Sequence, residues 1–177
     1  MSWEIVNIIA SARINGSIDI ERLHLELQNT SYEPEMFPGL VYRRTNKPTI
    51  IMFASGKISS HGSRTLAIAL SSIKEVLKDI EEMNCVYGNA TIEWIRIENI
   101  VAKVNLLLEI DLEKLNYTLS SSMYDPKQFP GLTYKPLKNS VTCLVFSNGK
   151  MVIVGAKSEE QIDEAYKIMK NIIVELV

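Results

Sequence analysis

The chain has 177 residues and a mass of 20.0 kDa, which is enough for a sizeable core in one domain or in two small ones. Its composition, 46% hydrophobic and 23% charged with a formal net charge of −2, excludes a disordered or low-complexity protein. No apolar run is long enough for a membrane span, and the N-terminus lacks the basic-then-apolar pattern of a signal peptide. We therefore expect a soluble protein that is not exported.

The sequence also lacks the patterns of catalytic and metal sites. Cys85 and Cys143 stand far apart and outside any CxxC pattern, so we expect reduced thiols. His24 and His61 have no second ligand three or four positions away, which argues against zinc. We find no Ser/His/Asp or Cys/His arrangement, no paired carboxylates in the strand segments and no phosphate-binding glycine loop. The sequence therefore predicts neither an enzyme nor a cofactor. The rival class is a small-molecule-binding or hydrolytic protein on a helix-covered sheet, which a ligand retained through purification would favour.

In chain order, the first half alternates between β and α patterns. The β-branched run Glu4–Ile14 predicts a strand, Asp19 is placed to cap a short helix, and Asn29–Pro38 is rich in turn residues. Three strands with tight connections are predicted at residues 40–44, 49–53 and 57–62. A long helix that begins at Ser63 or Thr65 then carries an apolar stripe at Leu66, Leu70, Ile73, Leu77 and Ile80.

The same order of patterns returns after a connector at residues 84–89. The segment YEPEMFPGLVY at residues 32–42 recurs as YDPKQFPGLTY at residues 124–134, which is 92 positions later. FASGK at residues 53–57 recurs as FSNGK at 146–150, now 93 positions later. We interpret the chain as one half-molecule written twice, with both halves sharing a sheet. The second copy predicts strands at 92–108, 132–135, 141–146 and 150–155, a short helix at 111–119, and a last helix opened by the capping box Ser158-Glu159-Glu160-Gln161.

Basic residues are concentrated in two blocks, although the net charge is negative. Residues 37–64 contain five basic residues and no acidic one, and residues 127–157 again contain five and none. Such segregation is typical of a protein that offers one face to a polyanion. The alternative is that strands and turns simply avoid Asp and Glu, but this does not explain the retained cations. The blocks comprise Arg43, Arg44, Lys47, Lys57 and Arg64, and then Lys127, Lys135, Lys138, Lys150 and Lys157.

All four phenylalanines of the chain lie in the repeated segments. They are Phe37 and Phe53 in the first half and Phe129 and Phe146 in the second, beside Pro-Gly or Ser/Asn-Gly turns. Core phenylalanines usually lie in the middle of an element, and Ile, Leu and Val supply the core here. Composition alone leaves a buried and an exposed role equally open.

The segments IVN, YEPExFPGL, FxSGK and GAKSEEQ, with YEPExFPGL and FxSGK returning in variant form 92 and 93 positions later, resemble the TATA-binding protein family, general transcription initiation factors of archaea and eukaryotes. The resemblance covers essentially the whole chain. It implies an α+β fold that is a saddle-shaped, pseudo-twofold duplication. A ten-stranded curved antiparallel sheet would bind DNA on its concave face and carry four helices on its convex face. The repeats are expected at residues 1–91 and 92–177, as one continuous saddle.

The resemblance also implies roles for individual residues. Phe37 with Phe53, and Phe129 with Phe146, correspond to two pairs that intercalate between base steps. Asn7 and Asn99 correspond to central asparagines whose amide donors suit the minor-groove acceptors of A·T pairs. An asparagine at a strand irregularity is the alternative. The other implied minor-groove contacts are Ile9, Val101, Val152 and Val154. The implied phosphate contacts, for which solvated surface charge is the alternative, are Arg43, Lys57, Arg64, Lys135, Lys150 and Lys157.

Two departures from the family pattern bear on function. In GKISSHGSR at residues 56–64, the polar Ser59 and His61 replace apolar or threonine groove contacts, and we expect both to face the minor groove. Our hypothesis is that His61 donates to a base edge and alters sequence preference. In the loop that the family uses to dock a transcription factor B-type partner, Glu-Pro-Glu appears as Asp125-Pro126-Lys127, which reverses a charge. We take Asp125, Lys127 and Gln128 as the candidate partner-binding residues.

The sequence is therefore interpreted as a non-enzymatic factor that binds A/T-rich TATA-box promoter DNA in the minor groove, bends it, and recruits a B-type factor and the RNA polymerase machinery. The alternative is a paralogue with an altered DNA preference or a mainly protein-binding, regulatory role. The short N-terminus and the acidic outer surface favour an archaeal form, cytoplasmic and associated with the nucleoid, whereas a eukaryotic form would be nuclear. Whether the chain forms a homodimer without DNA stays open, and no metal or membrane is implied.

Overall fold

The computed structural model of the chain describes residues 3–136 and 141–176, so Lys138 of the second basic block lies outside the described residues. The elements of the first half are β1 (Trp3–Ile14), β2 (Ser17–Ile18), α1 (Ile20–Glu26), β3 (Thr30–Glu33), β4 (Phe37–Tyr42), β5 (Thr49–Phe53), β6 (Lys57–Ser63) and α2 (Leu66–Glu82). Those of the second half are β7 (Val86–Tyr87), β8 (Ile92–Asn105), α3 (Leu112–Thr118), β9 (Ser122–Met123), β10 (Leu132–Tyr134), β11 (Thr142–Val145), β12 (Lys150–Ala156) and α4 (Glu159–Leu176).

Ten of the strands form one antiparallel sheet. Their order is β3-β4-β5-β6-β1-β8-β12-β11-β10-β9, and β2 pairs separately with β7. The second half of this order repeats the first in reverse, as a duplicated unit requires. The predicted fold class, an α+β duplication with a ten-stranded antiparallel sheet and four helices, is confirmed.

The described chain divides into two compact units. The N-terminal unit is Asn7–Glu98, and the C-terminal unit comprises Met1–Val6 with Asn99–Val177. The boundary of the sequence repeat between residues 91 and 92 stays a prediction, and the two compact units divide between Glu98 and Asn99. The reason is that the first part of β8 contacts the N-terminal unit, through an ion pair between Arg13 and Glu93 at 3.6 Å, for example.

The core of the N-terminal unit lies between its strands and α2. Ile50, Met52 and Ile58 are fully buried, and α2 packs against β5 and β6. Successive side chains of a strand point to opposite faces, so Ile51 and Phe53 lie on the other face, where they stay partly exposed. One face of this half-sheet is therefore covered and the other is free.

The C-terminal unit is built in the same way. Met151 and Ile153 of β12 are fully buried, and α4 packs against that strand. The alternate residues Val152 and Val154 point away from the helix and are partly exposed. The fold thus produces the same one-sided burial twice, from two copies of one sequence pattern.

The helices begin where their capping residues predict. The side chains of Asp19 and Asp111 accept from backbone N–H groups three residues later, at 3.1 and 3.0 Å, and Thr65 caps α2 at 3.2 Å. Ser158 Oγ accepts from the Gln161 N–H at 3.4 Å, and the Gln161 side chain accepts from the N–H of Lys157 at 2.7 Å.

Other details of the packing differ from prediction. The short strands β3 and β7 lie in the segments that the sequence predicts as a turn-rich passage and a connector, and the short strands β2 and β9 are not predicted. The spacing of apolar residues in the last helix predicts a buried stripe at Ile162, Ala165, Met169, Ile172 and Leu176. In α4 the first three are buried, but in the last turns the buried residue is Ile173. Cys85 and Cys143 are free and buried, and burial raises the pKa of Cys143 to about 12.

No helix within residues 3–136 and 141–176 is long and apolar enough to cross a bilayer.

One-sided burial predicts unequal costs for two neighbouring truncations on β5. Ile50→Ala leaves a cavity under α2 and should lower the free energy of unfolding by about 3 kcal/mol. Ile51→Ala removes a side chain that is partly in water and should lower it by about 1 kcal/mol or less. Urea unfolding of both variants measures the difference, and equal losses would contradict a sheet that is covered on one face.

Candidate nucleic-acid interface

The side of each half-sheet that faces away from its long helix is called here the open face. In the N-terminal unit, strand register places Ile51 of β5 beside Ser59 of β6, and Ser59 beside Ser11 of β1. The neighbouring row contains Ile9 beside His61. In the C-terminal unit the equivalent row runs through Leu144, Val152 and Lys103. The predicted residues Ile9, Ser59, His61 and Val152 lie in these rows. Val101 and Val154 alternate with buried neighbours on β8 and β12 and are partly exposed, which puts them on the open face of the C-terminal unit.

The four phenylalanines form two ring pairs at the ends of strands. The ring centroids of Phe37 and Phe53 are 5.7 Å apart at an interplanar angle of 72°, and those of Phe129 and Phe146 are 5.8 Å apart at 65°. These edge-to-face pairs belong to the N-terminal and C-terminal units respectively. Phe37 is 42% exposed and Phe129 is 38% exposed, so both pairs present an apolar ring to solvent rather than fill a core.

A glycine makes room for each ring pair. A Cβ atom on Gly39 would lie 2.6 Å from the Phe37 ring and 2.9 Å from Ile51. A Cβ atom on Gly131 would lie 2.8 Å from Phe129 and 2.9 Å from Phe146. The glycine of the repeated segment is therefore required, because the rings lie where a Cβ atom would be. The sequence had shown this motif only as a turn signal.

Asn7 and Asn99 make the same hydrogen bond in their respective units. Asn7 Oδ1 accepts from the N–H of Gly62 at 2.9 Å, and Asn99 Oδ1 accepts from the N–H of Gly155 at 2.8 Å. Both glycines have a positive φ, +93° and +90°, which only glycine adopts readily, and both adjoin a register shift in the sheet.

This bond fixes the orientation of each amide. Because the oxygen of Asn7 and of Asn99 is occupied by a backbone donor, the NH₂ group is the end left for a partner, and it has none among the described residues. A strand irregularity is thus present at both asparagines, and it serves to present two amide donors. The two predicted interpretations of these residues are therefore compatible.

Ser59 and His61 form a polar pair on the open face of the N-terminal unit. The Ser59 hydroxyl lies 3.0 Å from His61 Nε2, and Ser59 is only 7% exposed. Burial lowers the pKa of His61 below its usual 6.5, so the ring is neutral at pH 7. Since Ser59 occupies Nε2, Nδ1 is the ring nitrogen that remains for an outside partner. Ser59 itself acts mainly by orienting His61.

The basic residues divide into paired and unpaired sets. Arg44 and Lys47 both bind Glu75 of α2, at 3.3 and 2.9 Å. The six predicted phosphate contacts, by contrast, make no ion pair with any described residue. They lie at or just beyond the ends of strands that form the open faces, at Arg43, Lys57 and Arg64 in the N-terminal unit and at Lys135, Lys150 and Lys157 in the C-terminal unit.

The predicted partner-binding loop is held by its own aspartate. The Asp125 carboxylate accepts from the Lys127 N–H at 3.1 Å and from Gln128 Nε2 at 2.9 Å, and its carbonyl accepts from two further N–H groups. Asp125 and Gln128 therefore use part of their polar capacity inside the loop. Lys127 and Gln128 are both exposed, and the ammonium of Lys127 is the charge that this loop presents to solvent.

The open face of the N-terminal unit contains a further charged cluster that the sequence did not predict. Ser11 donates to Glu98, and Arg96 binds the same carboxylate at 2.8 Å while its guanidinium lies 4.4 Å from the Trp94 ring. Arg13 on β1 pairs with Glu93. Only the position of Glu98 next to Asn99 marked this cluster in the sequence.

Each open face presents unpaired cations, amide donors and exposed aromatic rings. This combination is suited to binding a polyanion that also has apolar surface between its charges. The comparisons with known proteins agree with that class of binding protein. The family model for transcription factor TFIID, or TATA-binding protein, matches residues 2–83 and 94–176. The TATA-box-binding protein of Pyrodictium occultum is 38% identical over 163 residues, which cover 91% of this chain and 80% of that protein. That of Methanocaldococcus jannaschii is 37% identical over 176 residues, 98% of this chain and 94% of that protein.

A solved structure gives the same result for the fold. The Methanococcus jannaschii TBP structure matches with a TM-score of 0.87 and 36% identity over 99% of both chains. The chain belongs to the TATA-binding protein family, whose members are DNA-binding transcription factors and not enzymes. The predicted family, its archaeal character and the absence of an enzymatic function are thereby confirmed.

The position of His61 makes stability depend on pH in a defined direction. In the unfolded chain His61 takes up a proton near its usual pKa, but burial in the folded state opposes protonation. The free energy of unfolding therefore decreases as the pH falls below about 6.5. Above that pH His61 is neutral in both states and no longer affects the free energy of unfolding. His61→Val, which installs the residue of the equivalent Val154, should reduce the loss between pH 8 and pH 5.5.

Urea unfolding across this range measures the effect as a difference between variants, which cancels the titration of the carboxylates. His24→Gln removes the other histidine of the chain and is the control. It should keep the part of the wild-type pH dependence of stability that arises at His61. Parallel curves for the wild type and His61→Val would contradict this assignment.

Proposed function

We propose that the chain is a general transcription initiation factor that binds A/T-rich, TATA-box promoter DNA in the minor groove through the open faces of both units. It bends the duplex with its two phenylalanine pairs and recruits a B-type factor and the polymerase machinery. The observation that carries the proposal is the repeated ring pair, exposed in both units and seated on a glycine. The names of the relatives support the same target, since each is a TATA-box-binding protein.

The exposed rings suit insertion between base steps. Unstacking a step costs a few kcal/mol, and the bent duplex offsets this cost by contacting more protein surface, which is how TATA-binding proteins act on DNA. Phe37 and Phe129 expose apolar surface that folding leaves in water, so their insertion also buries that surface. Pyrimidine–purine steps such as TA deform most readily, and the wedges therefore favour TA-containing sites.

The two fixed asparagine amides account for a preference for A·T pairs. In the minor groove, A·T and T·A pairs present only the acceptors adenine N3 and thymine O2. The NH₂ groups of Asn7 and Asn99 are donors without protein partners among the described residues, and their oxygens already accept from glycine N–H groups. The unpaired cations at the strand ends supply the phosphate contacts, so that affinity should fall steeply with salt.

One observation favours the paralogue with an altered preference as the second candidate. The open face of the N-terminal unit carries Ser59 and His61 where the C-terminal unit carries Val152 and Val154. Polar groups at these positions demand hydrogen-bond partners that a run of A·T pairs supplies only in part. Sites selected from random duplex DNA, with and without a B-type factor, separate this candidate from ordinary TATA binding.

The ring pairs give a direct test of bending. Phe37→Ala and Phe129→Ala should each weaken binding to a TATA duplex by roughly tenfold, about 1.4 kcal/mol, and should reduce the bend. Phe37→Leu and Phe129→Leu keep an apolar wedge and should retain most of both. Gel shifts measure affinity, and energy transfer between the duplex ends measures the bend.

Tyr117→Ala serves as the matched control, because Tyr117 is an exposed aromatic residue on α3 away from the open faces. It should behave as the wild type does. An undiminished bend in both alanine variants would contradict the proposed role of the rings, and a wild type that prefers no A/T-rich duplex would contradict the proposed function.

Recruitment of the B-type partner is proposed to involve the loop around Lys127. Asp125 holds this loop in one conformation, and Lys127 is its exposed charge. Lys127→Glu should weaken formation of the ternary complex with the chain's own B-type factor several-fold, more at low salt than at high salt. Glu35→Lys, at the equivalent position of the first repeat, should leave the complex intact. Equal effects of the two swaps in a supershift assay would contradict this site.

A further inference from the structure

Glu98 places a carboxylate on the open face of the N-terminal unit. Its Oε1 accepts from the Ser11 hydroxyl and from Arg96 Nε at 2.8 Å. Ser11 lies in the row that runs through Ser59 and Ile51, so the carboxylate belongs to the same face as the predicted groove contacts. Arg96 is itself held over the Trp94 ring, which limits the freedom of the cluster.

The second oxygen of this carboxylate is available. Both hydrogen bonds and the ion pair with Arg96 use Oε1, and Oε2 has no partner among the described residues. The side chain remains 28% exposed. Bonds from Ser11 and Arg96 lower the pKa of Glu98, so the group is ionised at neutral pH and can only accept hydrogen bonds.

An ionised acceptor is poorly suited to a groove lined by A·T pairs alone. Adenine N3 and thymine O2 are also acceptors, and narrow A/T-rich minor grooves have a strongly negative potential. A carboxylate buried there would lose water without gaining a donor. The 2-amino group of guanine is the one base-edge donor that the minor groove offers.

We propose that Glu98 makes the N-terminal unit prefer a G·C pair in its half of the DNA site, by accepting a hydrogen bond from the guanine 2-amino group on Oε2. This inference rests on the proposed minor-groove function and adds a specificity-determining residue to it. Ser11 and Arg96 act as positioning residues, because both bind Oε1 and leave the second oxygen without a partner among the described residues.

Comparison of the two repeats shows that the arrangement of Glu98, Ser11 and Arg96 occurs in the N-terminal unit only. The residue 92 positions before Glu98 is Val6, by the same offset that relates Asn99 to Asn7. Ser11 is replaced by Lys103 in the second half, and that lysine pairs with Glu4 at 3.0 Å. The C-terminal unit therefore has no carboxylate at the position equivalent to Glu98, and the carboxylate that it does have near this row, Glu4, is ion-paired with Lys103 instead of being held by a serine and an arginine.

A guanine reader in one half has a consequence for orientation. A·T and T·A pairs look alike in the minor groove, so two equivalent halves cannot tell one direction of an A/T-rich site from the other. A G·C pair accepted by the N-terminal unit alone breaks this symmetry. The direction in which the protein binds its DNA site is then determined partly by the protein itself, without contacts from a partner.

The alternative role for Glu98 is purely structural, as an anion that holds Arg96 beside β1 and balances Lys57. In that case the removal of the charge would change affinity for every duplex alike. The two roles differ in whether the effect depends on the 2-amino group, and base analogues change this group without altering the major groove.

The test uses the full chain and a panel of TATA duplexes in which each A·T pair in turn is replaced by G·C or by inosine·C, which lacks the 2-amino group. The wild type should bind at least one G·C duplex about tenfold more tightly than its inosine counterpart, at a position in one half of the site. Diaminopurine·T at that position, which adds the amino group to an A·T pair, should restore tight binding. Glu98→Gln should abolish the difference.

Glu81→Gln makes the same charge change on α2, away from the open faces, and should keep the difference. The comparison of guanine with inosine in the wild type needs no variant, so a folding defect in Glu98→Gln cannot obscure the result. Tight TATA binding with no effect of the 2-amino group at any position would overturn the inference and leave the proposed function standing. Absence of specific binding to any duplex would overturn both.

Discussion

The whole molecule depends on a half-sheet that is buried on one face only. In each unit a single long helix covers alternate residues of the strands, and those residues supply the core, such as Ile50 and Met52 under α2 and Ile153 under α4. The residues between them contribute little to that core. The open faces are therefore free to carry exposed rings, unpaired cations and amides that would be costly inside a core.

Because the half-sheet occurs twice, the groups on its open face occur in matched pairs. Each unit has a ring pair over a glycine and an asparagine whose oxygen accepts from a glycine N–H with positive φ. The same geometry arises from two segments that have diverged considerably elsewhere. Differences between the halves are then informative, since Ser59, His61 and Glu98 have the apolar counterparts Val152, Val154 and Val6.

Local chemistry in the sequence predicts much of the fold. The bounds of β5 and the caps of three helices follow from β-branched residues and from Asp19, Asp111 and Thr65. The short strands β3 and β9 escaped prediction because their pairing with β4 and β10 supplies what their local sequence lacks. Glu98 escaped it for a different reason. Simple alternation along β8 predicts Glu98 on the face opposite to Asn99, and it is the bond from Ser11, a residue of the open-face row, that shows the carboxylate on the open face.

The central claim is that DNA covers the open faces, and hydroxyl-radical footprinting of the protein with and without an A/T-rich duplex tests it most directly. The account predicts that the duplex protects Phe37 and Phe129 from modification, while the helix residues Ile68 and Val174, which are at least as accessible, react as before. Unchanged reactivity of both rings, together with protection of Ile68 or Val174, would contradict it.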